Sequence, residues 1–343
     1  MARIDGILHT LGEVARVRTL AAHGVDERML RLALAAGDLV RVRHGWVASR
    51  SADRDQLRAV EVGARLGCVS ALSRWGVWAG VGRDLHLQVP RTAARLRRAA
   101  SHEHPPATSA AAGVWHPAVH ERRRRGRDIR LSDHPADSAG RPALRSDPFA
   151  RPADGLRIHW THEPAPAAVL DWIVSPQVAL ACAIRCLDDE HAAAAIDSAL
   201  RERVLTRAQV DEVVGDAPSH AARLVDAFTG RPESGVESLF VRRIAALGLR
   251  VESQVDLAGF GRYDGLIEEC VLFEVDGRGY HSGSAEFFAD RDRTLVGQAF
   301  GLPVIRPSAR HVLEDWAAVE AAVVRVVDDA RIVRRHRGHH SLA

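Results

Sequence analysis

Apolar positions at the start of the chain recur at helical spacing in three short runs. "DGILHTLG" and "VRTLAAHG" read as helices, the second stopped by Gly24. Asp26 caps a third, "ERMLRLALAAG", which Gly37 stops. Met29, Leu30, Ala33 and Leu34 face inward on it, while Arg28, Arg31 and Ala35 share the opposite face. In "DLVRVRHGWVAS" the period shortens. Arg41, Arg43 and His44 stand between or after Leu39, Val40 and Val42, and Gly45 permits a tight turn. Three helices and a basic hairpin predict a winged helix-turn-helix over residues 1–50. A short basic helix fits the major groove and a basic wing reaches phosphate. The competing reading is a small helical domain with solvated arginines.

Residues 51–98 continue with the helices "DQLRAVEVGARLG" and "CVSALSRWGVWAG" and a strand-like "DLHLQVP". Residues 99–155 lose the pattern. They are rich in Ala, Pro, Ser, Asp and Gly, which predicts a disordered insertion. Its run Arg122–Arg125 with Arg127 is either a nucleic-acid tether or a solvated charge run. Helical pattern returns over 156–230. Pro176 opens "PQVALACAIRCL", "EHAAAAIDSALRERVL" follows, Thr206 and Gln209 form a capping box, and Ser219 caps "HAARLVDAF". A packing and connecting role is expected for this part.

The pattern changes again at Ser234. "SGVESLFVRRIAALG" is an amphipathic helix. "LRVESQVDL", "RYDGLI" and "VLFEVDG" are short strand-like runs with connections as brief as a meander's. A helix "SAEFFADRDRTLVGQAF", a strand "LPVIRP" and a helix "SARHVLEDWAAVEAAVVRVVDD" complete an α-β-β-β-α-β-α order over 231–330, before a basic tail at 331–343. The chain as a whole predicts a multi-domain α+β protein.

Composition changes this picture in three respects. All 47 basic residues are arginine, so lysine chemistry is excluded. The net charge of +3 conceals a gradient: residues 1–98 carry 17 arginines against 9 acids, and residues 231–330 carry 11 against 17. A basic first part and an acidic last part suggest two jobs. No apolar run approaches the ~20 residues of a membrane span, and the start lacks a signal peptide's apolar centre. A cytoplasmic protein with no membrane partner is expected. The cysteines, Cys68, Cys182, Cys186 and Cys270, fit no zinc-ribbon spacing, and Cys182 and Cys186 fall at i, i+4 with no nearby histidine pair. They read as buried thiols.

The candidate chemistry lies in the last part. In "VLFEVDG", Val271, Phe273 and Val275 share one face, to be packed against a helix; Leu272, Glu274 and Asp276 share the other. Asp264 sits ten residues before Glu274, where it can lie beside it across a strand pair, and Glu237 is in the first turn of the leading helix. Gathering four acids is costly unless protons or a cation intervene. Mg²⁺, or Mn²⁺, suits one or two carboxylates plus a phosphate, polarises a phosphodiester and lowers the pKa of a water. The competing reading is a solvated sheet face.

Two resemblances sharpen these expectations. The pattern "LAAHGV…MLRLALAAGDLVRVRHGWVA" resembles the amino-terminal domain of AbiEi-type antitoxins, which are winged-helix transcriptional autoregulators. It implies DNA as a partner, with Arg28, Arg31, Arg41 and Arg43 as contacts, and a cognate toxin. Residues 232–325 resemble the PD-(D/E)xK nuclease fold, most of all the family of unknown function related to very-short-patch repair endonucleases. The matching pieces are "VES" with Glu237, Gln254, "RYDGLI" with Asp264, "FEVDGRGYH", "FFADRDR", and "GLPVIRP" with Arg306. The resemblance implies a restriction-endonuclease-like αβββαβ domain with Asp264 and Glu274 as metal ligands. It places Asp276 where the fold's lysine usually stands. His281 is then the candidate general base, or a residue closing a loop. Arg291 and Arg293 hold the scissile phosphate or salt-bridge nearby acids.

The expected function is a metal-dependent DNA endonuclease guided by a winged helix. The alternative is a non-catalytic DNA-binding regulator of antitoxin type with a degenerate nuclease domain. Action on RNA, or on branched or mismatched DNA, stays open.

Overall fold

A computed structural model describes residues 2–80, 82, 84–93, 96, 155–161, 170–217, 234–257, 261–276, 297 and 299–340. Among these, eleven helices and ten strands in three small sheets make a mixed α/β structure. The chain divides into two compact units. One comprises Met1–Asp188 with Glu202–Ala222, the other Asp189–Arg201 with Arg223–Ala343.

The first unit opens with α1 (Ala2–Thr10), β1 (Val14–Arg16), α2 (Val17–Ala22), α3 (Glu27–Ala35), β2 (Leu39–Arg43) and β3 (Trp46–Ser49). The Asp26 carboxylate accepts from the Met29 amide at 2.7 Å and fixes the start of α3. Leu30 and Ala33 enter a core with Leu8, Leu11, Leu20 and Val47, while Met29 and Leu34 pack at its edge. The predicted inner face of α3 is therefore the buried one. Strand β1, absent from the sequence reading, pairs with β3, giving the order β1-β3-β2. Three residues are too few to show a period of two.

Next come α4 (Arg54–Val62), β4 (Arg65–Leu66), α5 (Cys68–Arg74), β5 (Leu85–Pro90), β6 (Leu156–Thr161) and α6 (Pro176–Cys186). A capping box of Asp53 and Gln56 starts α4, and Gly63 ends it at φ +93°. The helix predicted through residue 67 thus stops early, releasing β4. Strands β5 and β6 pair in parallel, bringing residues about seventy apart in sequence into register. Fully buried Trp172 donates its indole N–H to the Leu11 carbonyl, fastening the start of the chain to this layer. Helix α8 (Arg207–Gly215) packs on α6 and carries the predicted capping box of Thr206 and Gln209.

The expected middle region 156–230 does not act as one body. It includes strand β6, and its helix α7 (Asp189–Arg201) belongs to the second unit. There the buried Asp197 accepts from Ser238 and from Arg242, both on α9 (Gly235–Ala246). A carboxylate buried in an alanine-rich helix needs such partners. The sheet has the order β10-β9-β8-β7, with β7 (Val251–Leu257), β8 (Gly261–Ile267) and β9 (Val271–Phe273) antiparallel and β10 (Val304–Ile305) parallel to β9. The Phe273 ring packs against Phe240 of α9 with centroids 4.8 Å apart and the planes tilted by 40°, so the predicted helix-packing face is in place. Gly265 permits that approach: a side chain there would meet the Phe273 ring at 2.5 Å.

Two helices, α10 (Ala309–Glu314) and α11 (Trp316–His340), replace the single one expected after residue 307. The expected basic tail from 331 continues α11 as far as His340. Arg331 pairs with Glu268 at 2.8 Å and Arg334 donates to the Glu269 carbonyl at 2.9 Å, which ties the extension to the β8–β9 turn. No helix among the described residues is long and apolar enough to cross a membrane. The insertion expected at 99–155 and the helix capped by Ser219 lie outside the described residues, apart from Gly155.

Candidate functional site

The acidic site is built on the middle of the second unit's sheet. Ser253, Gly265 and Phe273 pair directly across β7, β8 and β9, and Gln254, Asp264 and Glu274 adjoin those three residues, with Glu274 just past the end of β9. The Asp264 carboxylate accepts from the Val275 amide at 2.7 Å. Glu274 is buried, and its own amide donates to the Ile305 carbonyl of β10. Asp276 follows at the exposed margin, where its backbone bridges Ser308.

Glu237 reaches the same place from the first turn of α9. Its carboxylate accepts from the Ser234 amide at 3.2 Å in a capping box and from the Gln254 side-chain amide at 2.7 Å. Gln254 in turn accepts from Arg262. To serve both, Gln254 adopts φ +61°, in the left-handed region, and its pair drops out of an otherwise continuous ladder. That conformation costs roughly 1–3 kcal/mol for a residue with a side chain. Burial, and then the negative charge of Asp264, push the Glu237 carboxyl up to about 8.

This shift has a measurable consequence for the metal-free protein. The folded chain holds a proton on Glu237 up to about pH 8, whereas the unfolded chain releases it near 4.5. The associated stability is fully present below 4.5 and is lost as pH rises through 8. Glu237→Gln cannot ionise and keeps one of the two acceptor roles, since its single amide oxygen can serve either the Ser234 amide or the Gln254 side chain. Thermal melts in chelator from pH 5 to 8.5 should therefore decline less steeply for the variant, which should be the more stable protein at pH 8. Parallel declines would show that Glu237 ionises normally.

The fourth element is Arg306, at the end of β10. Its Nη2 lies 3.2 Å from Glu274 Oε2 and 3.5 Å from Asp276 Oδ1. A guanidinium thus sits against both acids of the "FEVDG" motif.

No family model, curated protein or solved structure matches this chain. Its chemistry must be read from its own residues. Asp264 and Glu274 offer hard oxygen donors of the kind that suit Mg²⁺ or Mn²⁺, while burial keeps the neighbouring Glu237 carboxyl protonated; among the described residues the acids do not bring three donor atoms close enough to share one ion. Asp264 and Glu274 would hold the ion. His281 and Arg291 lie outside the described residues.

A second surface belongs to the first unit. Arg28, Arg31 and Arg41 are exposed, and Leu32 and Val40 stand exposed near them. Arg43 is half-buried: its Nη1 donates to the Val60 carbonyl at 3.2 Å and braces the hairpin against α4. Arg16, Arg18 and Arg65 form a further basic group, which the sequence reading missed. Burial, followed by mutual repulsion, holds the Arg16 and Arg65 guanidiniums below the usual arginine range, and Asp171 offsets part of it. These arginines come from β1, α2 and β4, so no local spacing announces them.

Cys68 and Cys270 are buried thiols as expected, whereas Cys182 and Cys186 are half-buried. Cys68, at the start of α5, and Cys186, at the end of α6, meet His86 of β5 and His159 of β6. The histidine pair missing from the local sequence is supplied by the parallel strands. Burial beside His159 pushes the His86 imidazole down to about 4.

Proposed function

We propose that the chain is a metal-dependent DNA endonuclease whose basic amino-terminal domain supplies affinity for the duplex. The observation carrying this reading is the Asp264 carboxylate, on β8, held against the backbone that follows Glu274 by its bond from the Val275 amide, with protonated Glu237 beside it. Carboxylates brought together inside a sheet are expensive, and a divalent cation is what makes such an arrangement useful. The αβββ order with a final parallel strand agrees with the PD-(D/E)xK fold, and the three-helix, three-strand start agrees with a winged helix.

A bound divalent ion would polarise the phosphodiester and lower the pKa of a water. The chain's residues do the rest. Asp264 and Glu274 orient the donor oxygens. Glu237, steered by Gln254, would release its proton to solvent if a cation were held beside it. Arg306 supplies positive charge against Glu274 and Asp276, the residue that stands where the fold usually has lysine. Its guanidinium cannot take a proton from water, so its contribution is electrostatic. The test is supercoiled plasmid incubated with the full chain and Mg²⁺ or Mn²⁺. Nicked or linear product that disappears with chelator supports the reading. Intact plasmid that is nevertheless retarded in a gel favours the regulator reading, which the Arg306 contact to both acids also supports.

For the duplex itself, α3 is proposed to enter the major groove, with Arg28 and Arg31 near phosphate or base edges. The double variant Arg28→Ala/Arg31→Ala should weaken binding and lower the slope of log K against log salt by about 2 if both reach phosphate. Binding measured between low and moderate salt checks this. An unchanged slope would move the contact elsewhere, first to Arg16, Arg18 and Arg65.

A further inference from the structure

The four donor atoms of Cys68, His86, His159 and Cys186 lie within 4.8 Å of one another. His86 Nδ1 and His159 Nε2 are 3.0 Å apart. Cys186 Sγ is 3.8 Å from the first and 4.0 Å from the second. A tetrahedral zinc ion, at ~2.3 Å from sulfur and ~2.05 Å from nitrogen, separates two nitrogens by about 3.3 Å, nitrogen from sulfur by about 3.6 Å and two sulfurs by about 3.8 Å. The separations among His86, His159 and Cys186 match such a tetrahedron to within a few tenths of an ångström, and the Cys68 thiol completes the set with all four donor atoms within 4.8 Å of one another. Cys68 and His86 are buried, and His159 and Cys186 half-buried, so an ion there would be largely shielded from water.

We propose that these four residues form a Cys₂His₂ zinc site in the first unit. It is independent of the acidic site and of the endonuclease reading. Two thiolates neutralise the ion, which suits an interior position. Four protein ligands leave no open position, so the role is structural and not hydrolytic. The surroundings fit this role. Arg157 directs Nη1 at Cys186 Sγ from 3.6 Å, as an outer-shell donor to a thiolate. Cys68 holds φ +49°, an uncommon backbone state for a residue with a side chain. The site would tie α5 and α6 to strands β5 and β6, across the long segment that separates the strands in sequence. Cys182, one turn before Cys186, is excluded from the four-atom set although it lies beside Cys68.

The test uses the full chain, expressed with zinc and purified without chelator. Elemental mass spectrometry should find about one zinc per chain. Exchange into Co²⁺ should give the thiolate charge-transfer band and the visible bands of a tetrahedral site. Cys186→Ser should lose most of the zinc, whereas Cys182→Ser should keep it. Stripping the metal should lower the melting temperature on the order of 10 °C, because metal binding to such a site is coupled to folding. A wild-type chain that carries no zinc and gives no cobalt–thiolate band overturns the proposal. The His86–His159 contact would then be an ordinary hydrogen bond. Full zinc retention in Cys186→Ser overturns the ligand assignment. The cobalt spectrum is measured on the unmutated protein, so misfolding of a variant does not affect it.

Discussion

Asp264→Asn is expected to eliminate metal-dependent DNA cleavage while making the metal-free protein more stable. The asparagine oxygen can still accept from the Val275 amide, so the link between β8 and the end of β9 survives. The negative charge does not. Residues that merely support a metal ligand cost about 10- to 100-fold when replaced, and a direct ligand should cost more, so cleavage should fall at least ~100-fold. In the same variant Glu237 loses the like charge that, after burial, raises its pKa. Relief of that repulsion should stabilise the metal-free chain on the order of 1 kcal/mol, a rise of roughly 2–4 °C in melting temperature. Opposite signs for activity and stability mark a functional charge held at a folding cost. Cleavage at the wild-type rate would remove Asp264 from the site. Loss of both activity and stability would mean that the carboxylate is a structural group.

This pairing of strands was legible because it is local. Asp264 and Glu274 are ten residues apart, joined by a short turn, and the alternation in "VLFEVDG" fixes which residues face the helix. The cap at Ser234 was equally readable, since a capping box needs three residues of spacing and nothing else. What the sequence did not show arose from long-range pairing. His86 and His159 lie on strands that pair in parallel across a segment of sixty-five residues, 91–155, so no spacing rule relates them to Cys68 or Cys186. The left-handed turn at Gln254 was hidden for another reason. Nothing about a glutamine in a strand-like run predicts φ +61°; the conformation follows from what Glu237 and Arg262 demand of its side chain. Helix α7 was recognisable as a helix, but its alanine-rich face gave no indication of its unit. The buried Asp197 decides that, by meeting Ser238 and Arg242.

Arg306→Ala should destabilise the metal-free protein strongly at pH 8 and weakly at pH 5, and Mn²⁺ should restore much of the loss. The guanidinium lies 3.2 Å from Glu274 Oε2, and the Glu274 side chain is 6% exposed. Removing one member of a buried ion pair typically costs about 3–5 kcal/mol, most of it the penalty for the charge left behind. Asp276 shares the guanidinium but is half-exposed, so water screens it and Glu274 carries the larger effect. Two routes remain by which Glu274 can be neutralised. It can take a proton, which becomes easier as pH falls, or it can bind a divalent cation together with Asp264. A structural arginine that merely packs would give a loss independent of both pH and metal. Melting curves of wild type and variant at the two pH values, each with chelator and with Mn²⁺, separate these cases. Equal losses in all four conditions would mean that Arg306 does not neutralise Glu274, and the proposal that it supplies the positive charge of the site would fail. A loss confined to the metal-free protein at high pH would identify Arg306 and the cation as alternative partners of one carboxylate. In that case ion binding would loosen the arginine from Glu274 and free it for a phosphate oxygen.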